Sequence, residues 1–191
     1  MKGKSSIPSD RMNLLQLIKN KKLNKLIRYS WWENEDAMEH CEIAPDEVFS
    51  LTAGPLLLYC ESGLVIGAAS EPSRNSIVVW VEKDETGFLK YDSIEQDTDL
   101  YPIDAVDYTY SNPYWIQIVG QHIKAISIIK CDPQNALFEE LPNEVGVEIV
   151  MENEMKFILS HGLHNDSDDF SVIAPSQLEI GIIANLRFFS C

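Results

Sequence analysis

The apolar runs in this 191-residue chain stop at strand length, and that limits what it can build. Leu56-Leu57-Leu58 and Ile77-Val78-Val79-Trp80-Val81 are typical of the longest. Neither approaches the roughly 20 apolar residues a helix needs to cross a bilayer. Many of the runs are β-branched, and turn-forming residues separate them. Leu56–Cys60 and Leu64–Ala69 flank Ser62-Gly63, which predicts a hairpin. Ile77–Glu82 and Phe88–Tyr91 flank Lys83–Gly87, and Tyr114–Val119 and Ile123–Ile129 flank Gly120-Gln121. Val145–Met151 and Met155–Ser160 turn at Glu152-Asn153-Glu154, and Phe170–Ile173 is a further short strand. Hairpins at this spacing predict antiparallel pairing rather than βαβ crossovers.

Ahead of them, Leu14, Leu15, Ile18, Leu23, Leu26 and Ile27 recur at three-to-five-residue steps with lysines between. That spacing predicts an amphipathic helix over 14–27. The expected fold is therefore α+β, mainly antiparallel β, a sheet or sandwich of hairpins with an N-terminal amphipathic helix. Residues 1–8 read as a flexible lead and 9–191 as a single domain. The segment 176–189 fits a helix through its capping-box start at Ser176 and Glu179. The β-branched Ile180, Ile182 and Ile183 favour a strand there, with Ile180, Ile182, Leu186 and Phe188 on one face. An internal echo runs from Leu56–Ala69 to Val147–Ser160 at an offset of 91. Two half-sheets, 47–91 and 114–191, joined through 92–113, would produce it.

Charge is sorted along the chain. Residues 1–30 hold eight basic residues against one acid, and residues 31–191 hold 7 against 29, which together make the net charge of −15. A body this acidic repels nucleic acid and anionic membrane and attracts basic partners. Three stretches carry acids without any Lys or Arg: nine between Arg28 and Arg74, six between Lys90 and Lys124, and seven between Lys130 and Lys156. Solvated faces ordinarily mix both signs. If the stretches fold together they form one negative surface, suited to fast encounter with a cationic protein. The segment 101–115 interleaves acids with aromatic rings, and Asp97 and Asp99 precede it. Asp97, Asp99, Tyr101, Asp104, Asp107, Tyr108 and Tyr110, with Trp32 from the Trp31-Trp32 pair, are therefore the candidate partner-binding residues.

Catalytic signatures are missing. The chain has no GxSxG, no GxGxxG before a helix and no GxxxxGK[ST]. Its four cysteines, Cys41, Cys60, Cys131 and Cys191, stand 19, 71 and 60 residues apart with no CxxC pair. They read as reduced thiols of a cytoplasmic protein, and no apolar leader is evident at the N-terminus. His161, His164, Asp166 and Asp168 are the one cluster rich in metal-ligand types, and a solvated hairpin loop is the favoured reading of it. No cofactor is expected.

The rhythm of Trp115–Lys124 followed by Val145–Glu154 resembles that of small β-rich bacterial immunity proteins encoded beside polymorphic or contact-dependent toxins. The resemblance implies a protein that blocks a cognate toxin domain, often a basic nuclease. It rests on strand-turn-strand rhythm within 114–173 and carries over no binding residue. Two alternatives stand beside it: a structural or adaptor subunit docking through helix 14–27, and an enzyme with an unrecognised His/Asp site.

Overall fold

The structure, a computed structural model, describes residues 5–164 and 169–191. It is α+β and β-rich. Helix α1 (Met12–Ile18) leads into β1 (Leu23–Ser30), followed by α2 (Asn34–Cys41) and the single turn α3 (Val48–Leu51). Then come β2 (Leu56–Cys60), β3 (Val65–Glu71), β4 (Ser76–Lys83) and β5 (Tyr101–Asp104). The remainder is β6 (Ile123–Cys131), β7 (Gly146–Met151), β8 (Lys156–His161), β9 (Phe170–Ile173), α4 (Ile180–Ile183) and β10 (Leu186–Ser190).

The ten strands form two antiparallel five-stranded sheets, ordered β4-β3-β2-β1-β5 and β10-β6-β7-β8-β9. In each sheet four strands run as a meander, and a later fifth strand returns to the outer side of the first. Inward side chains of both sheets share one core, including Leu26, Leu58 and Val79 from the first and Ile126, Val147 and Leu159 from the second. Each outer face carries a smaller cluster. Ile94 and Leu100 pack onto Ile27, Val78 and Trp80 in the first sheet. Leu178 and Ile182 pack onto Ile129 and Ile158 in the second.

The two sheets are related by an internal two-fold at the starts of β1 and β6. Asn20 N–H donates to Ile123 O and Gly120 N–H to Leu23 O, both at 2.7 Å. Leu23 N–H donates to Gln121 O at 2.9 Å and Ile123 N–H to Lys21 O at 3.0 Å. Asn20 and Gly120 both have positive φ, 66° and 87°. Both strands carry a bulge at the same place, between Leu23 and Lys25 and between Ile123 and Ala125. Farther along, Ala105 N–H donates to Leu26 O, and Cys191 N–H to Ile126 O.

Those bulges correct the expected helix over 14–27. Helix α1 ends at Ile18, because Lys19 is extended and Asn20 takes a left-handed conformation. Leu23 and Leu26 share a face because the bulge adds a residue between them, so a strand imitates the three-residue step of a helix. Leu14, Leu15, Ile18, Leu23, Leu26 and Ile27 are all buried, which removes the docking stripe proposed for 14–27. Tyr114–Val119 is not a strand. Pro113–Gln117 is a 3-10 turn, capped by the Asn112 side chain accepting from Tyr114 N–H at 3.0 Å, as an Asn-Pro start favours. Phe88–Tyr91 contributes only the Lys83–Leu89 bridge. Residues 5–8 are not a loose lead, because Ser6 exchanges backbone hydrogen bonds with Val79 at 3.1 and 2.8 Å. In 176–189 the helix is the single turn α4 over Ile180–Ile183, with Glu179 rather than Ser176 at its N-cap and no side-chain cap, and the strand begins only at Leu186, after the β-branched residues that suggested it.

A buried arginine clamps the sheets together. Arg28 on β1 is fully enclosed, and its Nη2 donates to the carbonyls of Thr52 and of Phe170 at the start of β9. Its guanidinium carbon lies 4.6 Å from the centre of the Phe170 ring. Burial lowers its pKa to about 9, against smaller opposing effects of Cys41 and Asp169.

Two stability measurements check this account. In urea unfolding, Gly120→Val is expected to cost about 1–2 kcal/mol, since positive φ is steep for a β-branched residue. Gly120→Asn should cost clearly less, as Asn20 holds the equivalent position. Arg28→Lys should cost roughly 2–3 kcal/mol, because an ammonium placed to bond both carbonyls gives up the flat guanidinium face on the Phe170 ring.

Candidate functional site

Two of the three acid-only stretches meet. Helix α2 presents Glu35, Asp36 and Glu39 to solvent, with Glu33 exposed at its N-cap, while Ala37 is buried. Glu35 and Asp36 lie in its first turn, where the helix dipole favours negative charge. The segment after β5 closes against it. Tyr110 donates its hydroxyl to Glu35 Oε1 at 2.8 Å, and Phe49 N–H donates to Tyr110 O at 2.9 Å. The Tyr110 hydrogen bond holds the Glu35 carboxyl below its ordinary value. The Asn112 amide reaches Asp46 at 3.4 Å. The resulting face joins the exposed acids of α2 to Asp104 and Asp107 along one edge of the first sheet.

The predicted contact residues divide by role. Asp97 and Asp99 are exposed in the turn before β5, and Asp97 Oδ1 accepts from Asp99 N–H at 3.0 Å. Asp104 is half-buried, accepts from Val106 N–H at 3.1 Å and lies 3.5 Å from Lys25 Nζ. Asp107 accepts from Thr109 N–H at 2.7 Å and Tyr110 N–H at 2.8 Å. These acids stabilise turns as well as carrying charge. Tyr108 is 92% exposed, and Tyr101 is exposed on the edge strand opposite Ser30. Of the tryptophan pair, Trp31 is the exposed ring at 56%. Trp32 is half-buried, packs on the core and stacks on His40 at 5.2 Å.

The third acid-only stretch stays apart from this face and is largely paired. Asp132 bonds Arg187 at 2.9 Å, Glu144 pairs with Lys130 at 3.0 Å, and Glu148 with Lys156 at 3.5 Å. Glu154 bonds Lys124, and Glu152 lies 3.4 Å from His122.

Beside Trp31 is a cavity of about 390 Å³ that the sequence did not reveal. Trp31, Trp80, Phe170 and Pro55 supply apolar walls, and Glu71 and Lys90 are among its polar ones. A second cavity of about 290 Å³ shares Trp31 and Phe170 with the first. Trp80 is held rigidly. A Cβ on Gly67 would stand 2.1 Å from its ring, so the indole lies directly on that glycine. Its Nε1 donates to the fully buried Glu82 at 2.6 Å. Glu82 also accepts from Ser93 Oγ and Ile94 N–H, each at 2.6 Å, so the buried charge is hydrogen-bonded on both oxygens. The only sequence signal for this wall is a small residue at Gly67 facing a large one, which becomes legible once the register of β3 and β4 is known.

The two described histidines of the metal candidate take different partners. His161 is buried, with Nδ1 3.2 Å from Ser70 Oγ and Nε2 3.2 Å from Asn75 Oδ1. His164 Nδ1 donates to Gln177 O at 3.1 Å. Asp166 and Asp168 lie outside the described residues. Among the described residues no three His, Cys, Asp or Glu side chains converge as a metal site, and no helix is long and apolar enough to cross a membrane. The described cysteines are unbridged.

Compared with known proteins, the chain matches no family model, no curated protein and no solved structure.

Gly67→Ala should force Trp80 off its bed and cost about 1–3 kcal/mol through overpacking. The check is a lower urea midpoint together with a red shift in tryptophan emission as the indole leaves the Glu82 network.

Proposed function

We propose that this protein is an acidic binding protein that neutralises a basic protein, with the face built from α2 and the 97–112 segment as its contact surface. The supporting observation is that two separate acid-only stretches are brought together there, linked through Tyr110 and Glu35. Trp31, Tyr101 and Tyr108 stand exposed around them. Aromatic anchors beside unpaired charge are what a tight, fast-associating interface needs. The cavity at Trp31 gives the partner a recess in which to seat one buried side chain. The resemblance to immunity proteins makes a cognate toxin domain the partner of choice, a nuclease whose nucleic-acid cleft the acids would cover, with the complex formed in the cytoplasm.

Asp36 and Glu39 are the best residues to test, since both are exposed and neither caps a turn as Asp104 and Asp107 do. The assay is stopped-flow binding to the basic protein partner captured on the immobilised chain. Asp36→Lys with Glu39→Lys is expected to slow association about tenfold at low salt and to leave dissociation nearly unchanged. Trp31→Ala should instead speed dissociation about tenfold or more. Association rates that ignore both salt and the charge reversal would sink the proposal.

A further inference from the structure

Each of the two sheets has two edge strands, and three of the four edges are protected. The β4 edge is covered by Ser6, which pairs with Val79, and by Glu144 O, which accepts from Ile77 N–H at 2.9 Å. The β5 edge is four residues long, carries Pro102 and ends in Asp104. The β9 edge is buried along its whole length. Strand β10 has none of these devices. It reads Leu186-Arg187-Phe188-Phe189-Ser190, without proline, glycine or acid, and its last four residues are exposed. Long, apolar, unprotected edges are pairing sites.

Hydrogen bonds at the two ends of β10 fix which of its backbone groups face outward. Asn185 O accepts from Asp132 N–H at 3.0 Å, and Cys191 N–H donates to Ile126 O at 2.9 Å. Inward-facing residues are therefore the odd-numbered ones, 185 to 191. Antiparallel alternation turns the N–H and C=O of Leu186, Phe188 and Ser190 away from β6. Among the described residues no backbone partner stands against them.

We propose that this edge pairs with the β10 edge of a second copy of the chain, antiparallel about a two-fold at Phe188. In that register Phe188 exchanges both backbone hydrogen bonds with its own copy, and Leu186 does so with Ser190. All three outward residues are satisfied, and the two second sheets become one ten-stranded sheet. Side chains agree with the backbone. Phe188, half-exposed beside Ile129 on the outer face, meets its symmetry mate. Arg187 comes opposite the ring of the other copy's Phe189, a face already attractive to the cationic Lys130, whose Nζ lies 5.9 Å from its centre. Charge selects a second copy over a basic partner here. Lys124, Lys130 and Arg187 are each paired with an acid of the same chain, so this edge is locally neutral while the chain carries −15. Two copies can meet here without confronting their acidic faces.

Sedimentation velocity on the full chain tests this across about 1–200 µM. The expected result is a reversible species of twice the 21.7 kDa chain mass. Phe188→Pro removes one outward donor and leaves the β6 ladder intact, as edge prolines do. It should weaken dimerisation at least tenfold with an unchanged far-UV spectrum. Should that variant misfold, Phe188→Lys serves instead, with the same loss expected. A wild-type chain that stays monomeric at 200 µM overturns the proposal, as does a dimer that survives both substitutions. Neither readout uses the basic partner, so this result stands or falls separately from the acidic face.

Discussion

Four hydrogen bonds between residues 20–23 and 120–123 hold the starts of β1 and β6 against each other. Everything else is hung from that junction. Both strands leave it through an identical bulge, so both twist away in the same sense, and each collects the next three strands as a meander on one side. The fifth strand of each sheet returns on the other side, where only the opening strand has an edge left. Junction geometry therefore sets which faces look inward, and one shared core follows. It also explains two left-handed residues 100 positions apart. Asn20 tolerates its φ through a short polar side chain, and Gly120 through having none.

Two of the four expected hairpins were legible in the sequence because their signal is local. The turns at Ser62-Gly63 and at 152–154 sit where turn residues and period-two apolar runs place them, and the offset of 91 between them reflects equivalent strands of the two sheets. The errors have local causes too. At Leu23 a bulge changed the period from two to three, and periodicity alone cannot tell that from a helix. At Trp115 the apolar pattern was real, but its ring is buried from a 3-10 turn, with Nε1 donating to Ser50 Oγ at 3.0 Å. That bond spans 65 residues, which no window reads. The acidic character of the contact face was visible as composition. The pairing of its two parts through Glu35 and Tyr110 was not, because it depends on where α2 folds back.

Buried charge is the other property that composition concealed. Arg28, Glu82 and Glu144 each lie wholly inside, each joining elements distant in sequence. Glu82 fixes Ser93 and Ile94, so the long connection to β5 is tied to the sheet it crosses. Glu144 accepts from Ser9 N–H at 2.8 Å and pairs with Lys130, joining the N-terminal segment to the second sheet. Desolvating such groups is costly, and they stabilise only while every partner stays in place. They specify one arrangement of two sheets whose apolar faces alone would accept several.

The two sheets share a topology and differ in their free edges, and the difference follows the charge. In the first, β5 is short and bears Pro102 and Asp104, and the acids of α2 stand beside it. Such an edge is a poor template for another strand, leaving side-chain charge and exposed rings as its means of contact. In the second, acids of the equivalent region are spent on Lys124, Lys130, Lys156 and Arg187. That neutralisation leaves β10 with backbone and phenylalanine as its contact chemistry. One repeated framework thus carries two unlike margins, an electrostatic one and a strand-pairing one. Net charge does not separate the halves, being −8 over residues 1–113 and −7 over 114–191; what differs is pairing, since the basic residues near the second margin are matched to acids within hydrogen-bond or ion-pair reach.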